Sequence, residues 1–493
     1  MTRSPMIAGI AVVIGFSLSS GCRSVATAPL TDRSARAGRS IAETSAATNS
    51  RRPDSSAKSA GRNRTSPQVA QTGYEDDDAS LDVVSDADDP FSGTSELDLP
   101  ALLEAVQSRN PSLQAAYGAW SAASERYPQV VALDDPMFQS MSAPRTYNAA
   151  SNVQSSYYLG VAQKIPWSGK RELRGNQANW ESQAAMYDYH ESQQRLAEAA
   201  RLAFFDDYLI VRQRELNTAN KEATREFRDI ARAKYEANQA TQNDVLQADV
   251  ELAKLEQRQI ELDQQQAVAL ARINTLLHRR PDHALPPPPQ VLSAHSDLPP
   301  LDTLRNSAEE NRPELQAMLA RVQAEQSAVA LACKEYYPDF EVMARYDRFW
   351  TDKEQRPQVG LNMNVPLNQS KRAAAVREAN ARVYKLQAEY QQARDNVWHD
   401  VAAAYARANG SRKTIRLFES QLLPAAEANV SNAKSGYSAG TLDFLRVIDA
   451  QRQLIELREQ QQMAIVELHR RQAELERAIG GDLSDAVPVP VQP

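Results

Sequence analysis

The sequence is poor in cysteine, with only Cys22 and Cys333 in 493 residues, so a disulfide framework is excluded as the source of its stability. Its six histidines, His190, His278, His283, His295, His399 and His469, include no pair four apart, and no cysteine cluster exists. The usual ligand spacings of zinc and related metals are therefore missing, and neither a metal site nor a cofactor is expected. "SGKR" at Ser168 has the lysine of a phosphate loop but lacks its spaced glycines and the Ser or Thr after the lysine. Nothing else in the chain suggests an enzyme. Beyond the first twenty residues no apolar run is long enough for a membrane helix, so any membrane crossing must be made by strands.

Glycine is also scarce, 17 residues, while Gln, Ala, Glu, Arg and Leu dominate the middle of the chain and mean hydropathy is negative. That composition favours long, solvated helices over a compact mixed sheet. The net charge of −7 comes from interspersed acids and bases, leaving no basic face for nucleic acid.

The N-terminus, "MTRSPMIAGIAVVIGFSLSSGC", has a positive Arg3, an apolar run from Met6 to Leu18 and small residues before Cys22. This is the layout of a signal peptide over 1–21. Small residues directly before Cys resemble a bacterial lipoprotein cleavage box, with Cys22 as the lipidated first residue. The other reading is an ordinary signal peptide with an incidental Cys. Residues 22–95 are Ser/Ala/Arg-rich and then acidic, and hold too few apolar residues to offset the entropy of ordering. A disordered tether is expected there.

From about residue 96 the chain repeats itself at an offset near 200. "RNPSLQAA" at Arg109 returns as "NRPELQAM" at Asn311, "LGVAQKIPWSGKR" at Leu159 as "VGLNMNVPLNQSKR" at Val359, and "YEANQATQNDVLQADVEL" at Tyr235 as "YSAGTLDFLRVIDAQRQL" at Tyr437. The expected organisation is a first repeat over 96–280, a Pro-rich linker over 281–300, a second repeat over 301–480 and a tail over 481–493. Each repeat reads as a helix, two strands and a helical hairpin. In the second, Phe340, Val342, Ala344 and Tyr346 alternate with more polar neighbours, as do Val359, Leu361, Met363 and Val365. Tyr157, Leu159, Val161 and Ile165 do the same in the first. Period two implies strands with one apolar and one polar face.

Pro166 and Pro366 end these strands and suit the first turn of the next helix. Helices are predicted over roughly 168–234 and 368–435. Each is followed by a turn and a returning helix with a three-four seam: Val245, Ala248, Leu252, Leu255, Leu262, Ala269, Ile273 and Leu276, then Val447, Ala450, Leu454, Leu457, Ala464, Leu468 and Leu475. Gln259 and Gln266 interrupt the first seam, and Gln461 interrupts the second. This is coiled-coil spacing with polar breaks.

Strands cross a bilayer only as a closed barrel, and four strands are too few to close one, so several copies are needed. The duplicated order, the junctions "QKIPWSGKR" and "NVPLNQSKR", and the turn "GYSAGT…DFLRVIDAQRQL" together resemble the TolC family of outer-membrane efflux proteins, in its lipoprotein branch. The resemblance covers about residues 96–480. It implies a mainly α fold with a small β part: a long antiparallel coiled-coil α-barrel plus a transmembrane β-barrel completed by trimerisation, four strands per chain. It implies a homotrimer in outer-membrane lipid, docked through a periplasmic adaptor (membrane fusion) protein onto an inner-membrane pump. The chain would then be a passive conduit for metal ions or small toxic compounds. By the same resemblance the helix turns form a periplasmic gate or constriction, with Tyr437, Asp449, Asp244 and Asp443 as candidates and Gly436 and Gly440 as turn glycines. Arg446 stands where a second acid is expected and Leu442 where a basic partner is expected, so the resemblance does not extend to an ionic lock. The alternative is a periplasmic adaptor or structural coiled-coil lipoprotein. An adaptor would carry one hairpin between β-rich modules, whereas this chain has two hairpins.

Overall fold

A computed structural model describes residues 90–144, 156–238, 241–292 and 298–483. The expected signal peptide, Cys22, the tether up to residue 89 and the tail from residue 484 lie outside the described residues.

The first repeat opens with α1 (Leu99–Arg109), α2 (Pro111–Ser124) and α3 (Arg126–Val131), and the second with α6 (Leu301–Asn311) and α7 (Pro313–Lys334). A single helix is expected from the sequence in each place, and Pro111 and Pro313 break both. A proline disfavours helical backbone in the residue before it, and Asn110 and Arg312 are extended. Asn110 uses the break: its side chain caps α2 through the Ser112 N–H at 2.9 Å and donates to the Leu276 carbonyl at 2.9 Å. Packing begins before residue 96, because Phe91 is buried against Leu102, Val106 and Phe204. The Pro-rich linker is packed too: Leu285 and Leu292 lie on the same core, and Asn274 donates to the Pro281 and His283 carbonyls.

The strands β1 (Met137–Ser142), β2 (Tyr157–Ile165), β3 (Phe340–Asp347) and β4 (Pro357–Met363) form one antiparallel sheet in the order β1-β2-β3-β4. Val365 lies beyond the end of β4. The register puts Phe138, Val161, Ala344 and Val359 in one row, Val342 beside Leu361, and Phe340 beside Met363, all on one face. That apolar face is exposed, Val359 at 84%. The other face carries Lys164, Glu341 and Asn362 in one row and Arg345 beside Gln358. It is tied by Asn362 to Glu341 at 3.0 Å and Arg345 to Gln358 at 2.8 Å. A mainly helical chain thus carries one small sheet with an apolar face turned outward.

Helix α4 (Lys170–Glu236) runs 67 residues, about 100 Å at 1.5 Å per residue. Glu172 in its first turn and Lys234 in its last complement the helix dipole. Pro166 does not enter that first turn, because the left-handed Gly169 precedes the helix, and Pro366 likewise precedes α8 (Gln369–Leu417). The returning helix α5 (Gln242–Leu276) has 35 residues, so it pairs with only part of α4; the rest packs on α2, α3 and α7. The seam is buried at Ala248, Leu252, Leu262, Ala269 and Ile273. Its glutamines are bonded to α4: Gln259 accepts from Asn217 at 3.0 Å and Gln266 from Arg214.

The second hairpin differs by one residue. Lys371 follows Lys170 by 201 (371 minus 170), yet Tyr437 follows Tyr235 by 202 (437 minus 235). The extra residue sits where α8 passes through a π-turn, Phe418–Leu422, into α9 (Leu423–Ser438). Buried Asn217 and Thr224 are seven apart in α4, while their counterparts Phe418 and Ala426 are eight apart. The wider turn absorbs the insertion and returns the seam to its face. Pro424, which offers no N–H to the preceding turn, follows directly. Helix α10 (Phe444–Ile479) returns along α4, α8 and α9. No described helix is long and apolar enough to cross a membrane.

Asp207 is a fully buried acid within α4, and its Oδ1 has no hydrogen-bond partner among the described residues. Burial pushes its carboxyl up to about 6, against the opposing pull of Arg214. The folded state therefore prefers the proton. The cost is absent below about pH 4, grows as pH rises, and is complete above about 6. The difference from 3.8 corresponds to at most about 3 kcal/mol. Asp207→Asn is expected to raise the melting temperature at pH 8 and leave it nearly unchanged at pH 4, as measured by calorimetry.

Candidate functional site: the helical turns

The turns at the ends of α4 and α9 meet at one end of the two hairpins. Phe227 and Ala231 of α4, Ala248 of α5, Val430 and Ala433 of α9 and Val447 and Leu454 of α10 share one apolar cluster, with Tyr437 packed against it. Leucines are few in this cluster, so the helices approach closely and the polar groups at the turns are brought within reach of one another.

The α9–α10 turn is built around Gly436. Its carbonyl accepts from the Thr441 N–H at 2.9 Å, the Leu442 N–H at 3.2 Å and the Thr441 hydroxyl at 3.0 Å. A Cβ on Gly436 would lie 2.5 Å from the Leu442 side chain. A side chain at 436 would have to displace Leu442, which lies against this turn while remaining partly exposed. Gly440 adopts φ +73°, the left-handed conformation that ends many helices. Asp443 occupies the N-cap of α10, but its side chain makes no capping hydrogen bond and is exposed.

The structure brings Tyr437 and Asp244 together. Burial, and then the Asp244 carboxylate, push the Tyr437 phenol above its ordinary range. Asp244 in turn accepts from the Thr241 hydroxyl at 2.9 Å. Lys234, at the end of α4, donates to the Tyr437 carbonyl at 2.8 Å and places its ammonium 3.7 Å from the Tyr437 ring centroid. Asp449 lies farther along α10 and is half-exposed, with its carboxylate 3.8 Å from Arg452. Arg452 reaches across to Glu251 of α5 at 2.9 Å. The Glu251 hydrogen bond, with the Asp449 and Glu456 charges, holds Arg452 firmly cationic.

Two cross-hairpin ties result, Lys234–Tyr437 and Arg452–Glu251. Sequence reasoning missed Lys234, Glu251 and Arg452. The available signal was opposite charge at neighbouring positions of the two repeats, 201 residues apart (452 minus 251). Arg446 is exposed in the first turn of α10. Among the described residues no three His, Cys, Asp or Glu side chains are grouped to hold a metal ion. Pro166 and Pro366 lie at the opposite, strand end of the molecule, in the links before α4 and α8.

These features have known counterparts. Residues 304–481 match the family model described as outer membrane efflux protein. The cobalt-zinc-cadmium resistance protein CzcC of Cupriavidus metallidurans is 28% identical over 178 residues, which are 34% of this chain and 42% of that protein, so the match spans less than half of that relative. The outer-membrane channel OprN superposes with a TM-score of 0.67 at 20% identity, over 80% of this chain and 92% of its own. A structure of CusC, described in terms of folding and transmembrane channel formation, gives 0.67 at 15% identity, over 78% and 92%. The fold is that of TolC-like outer-membrane channels. The second repeat thus matches the outer membrane efflux protein family, and the chain shares its fold with channels of that kind.

Lys234→Ala removes a short cation–π contact and a hydrogen bond that together contribute on the order of 1 kcal/mol. Hydrogen exchange of the 433–441 amides is expected to quicken roughly three- to tenfold, while exchange in the buried stretch around Val397 and Val401 stays unchanged.

Proposed function

We propose that this chain is the outer-membrane channel of a tripartite efflux system. Three copies would close a twelve-strand barrel in the outer membrane and a ring of helices in the periplasm. The channel is passive: it moves solutes that an inner-membrane pump drives through a periplasmic adaptor, and it performs no chemistry. The observation that carries this reading is the sheet. Its apolar face is exposed, no described strand pairs with the outer edge of β1 or of β4, and its opposite face carries cross-bonded polar side chains. An exposed apolar face suits lipid, and open edges within lipid require further strands.

The turns at Tyr437 and Asp244 then form the periplasmic mouth, with Asp449 and Asp443 adding negative charge that favours cations over anions. Lys234–Tyr437 and Arg452–Glu251 hold the two hairpins together and keep that mouth narrow. Cys22 would carry the acyl anchor of a lipoprotein. The name of CzcC favours metal ions as cargo, although among the described residues no group of His, Cys, Asp or Glu side chains could hold one.

In planar bilayers the detergent-purified protein is expected to conduct in small, brief steps. Lys234→Ala combined with Glu251→Gln is expected to lengthen the open time several-fold. A protein that forms no conducting particle in either form would contradict the channel.

A further inference from the structure

The two strand-to-helix junctions are copies of each other in sequence, but their surroundings differ. At the first, between β2 and α4, Lys170 is only 1% exposed. Its ammonium meets Asp339 at 2.9 Å, Glu335 at 3.4 Å and the Tyr337 carbonyl at 3.3 Å. Asp339 also accepts from the Trp167 N–H at 2.9 Å, and the Trp167 ring stacks on Tyr337 and Phe340 at 5.2 and 5.7 Å. All these partners come from the segment that ends α7 and enters β3. The contact seals one repeat against the next.

At the second junction, between β4 and α8, the same groups are bare. Lys371 is the counterpart of Lys170 and is exposed. Leu367 is the counterpart of Trp167, 200 residues on (367 minus 167), and is 83% exposed. No described strand lies beyond β4. The segment that enters β1, at the other edge of the sheet, corresponds to the one that enters β3, with Pro136 matching Pro338 and Phe138 matching Phe340 (an offset of 338 minus 136, or 202). That segment is also uncovered: Phe138 is 69% exposed, and Asp134 and Asp135 lie open just before the strand.

In the closed barrel proposed above, β4 meets β1 of the next copy. We infer that the exposed junction is completed there as a clamp between copies: Leu367 covers the next copy's Phe138, and Lys371 lies against that copy's Asp134 and Asp135. The inference deepens the trimeric channel reading and rests on it. The clamp between copies is not identical to the clamp within the chain. Met137 stands where the equivalent of Asp339 would be, and the acids move to positions matching Tyr336 and Tyr337. The salt bridge between copies is therefore nearer solvent, and salt weakens it more than the buried Lys170–Asp339 pair. Each chain folds around its own sealed junction, and assembly uses the exposed one.

The test uses the full chain, purified in detergent, with the dissociation temperature of the trimer read on semi-native gels. Lys371→Glu alone, and Asp134→Lys with Asp135→Lys, are each expected to lower it by several degrees, and all three changes together to restore it. Independently, Leu367→Cys with Phe138→Cys in a Cys333→Ser background is expected to give oxidant-dependent covalent dimers and trimers that neither single cysteine gives. A stable trimer with neither rescue nor cross-linking would overturn this seam and leave the trimer standing. A wild-type particle of one chain would overturn both.

Discussion

The constraint on which the rest of the structure depends is that backbone groups at the edge of a sheet need partners wherever water is absent. Four strands with an outward apolar face are unstable in water and cannot seal themselves in lipid. In the channel proposed above, that one conflict would account for the duplication, which doubles the strands per chain, and for the need for further copies. It also accounts for the polar face, where Arg345, Gln358, Glu341 and Asn362 satisfy one another beside water. The long helices answer a different need. In the proposed channel they would carry the ring away from the membrane, and their seams mix alanines with Leu252, Leu262 and Ile273, with the half-buried Gln259 bonded to Asn217 of α4.

The duplication is not exact, and its departures fall where the two halves differ in task. One inserted residue in the second hairpin is taken up by the π-turn before Pro424, which keeps Ala426, Val430 and Ala433 facing the seam. At the turns, Gly436 and Leu442 build a compact second turn, while the first repeat supplies Lys234, Asp244 and Glu251 to meet it. At the strand junctions a buried lysine clamp in one place faces an exposed lysine in the other.

Much of this was legible in the sequence because it rests on periodicity. Alternation at Phe340–Tyr346 and Val359–Met363 gave the strands, three-four spacing from Val245 and from Val447 gave the returning helices, and the internal match gave the repeat. The breaks at Pro111 and Pro313 were hidden because the apolar pattern continues across them. The π-turn was visible only as a change of offset from 201 to 202. Of the turn, sequence reasoning named Tyr437, Asp244 and Asp449, but not the cations that hold them. Lys234 and Arg452 look like any solvated helix charge until the second hairpin is laid beside the first.

The central claim is that the sheet is one segment of a closed barrel, with its apolar face in lipid and its polar face in water. Nitroxide labels placed singly at residues 358–363 of the reconstituted protein test it most directly, by comparing relaxation by oxygen with relaxation by a water-soluble nickel complex. Labels at Val359, Leu361 and Met363 should favour oxygen and those at Gln358, Gly360 and Asn362 the nickel complex, with a period of two. Equal access of the nickel complex to all six positions would contradict the account.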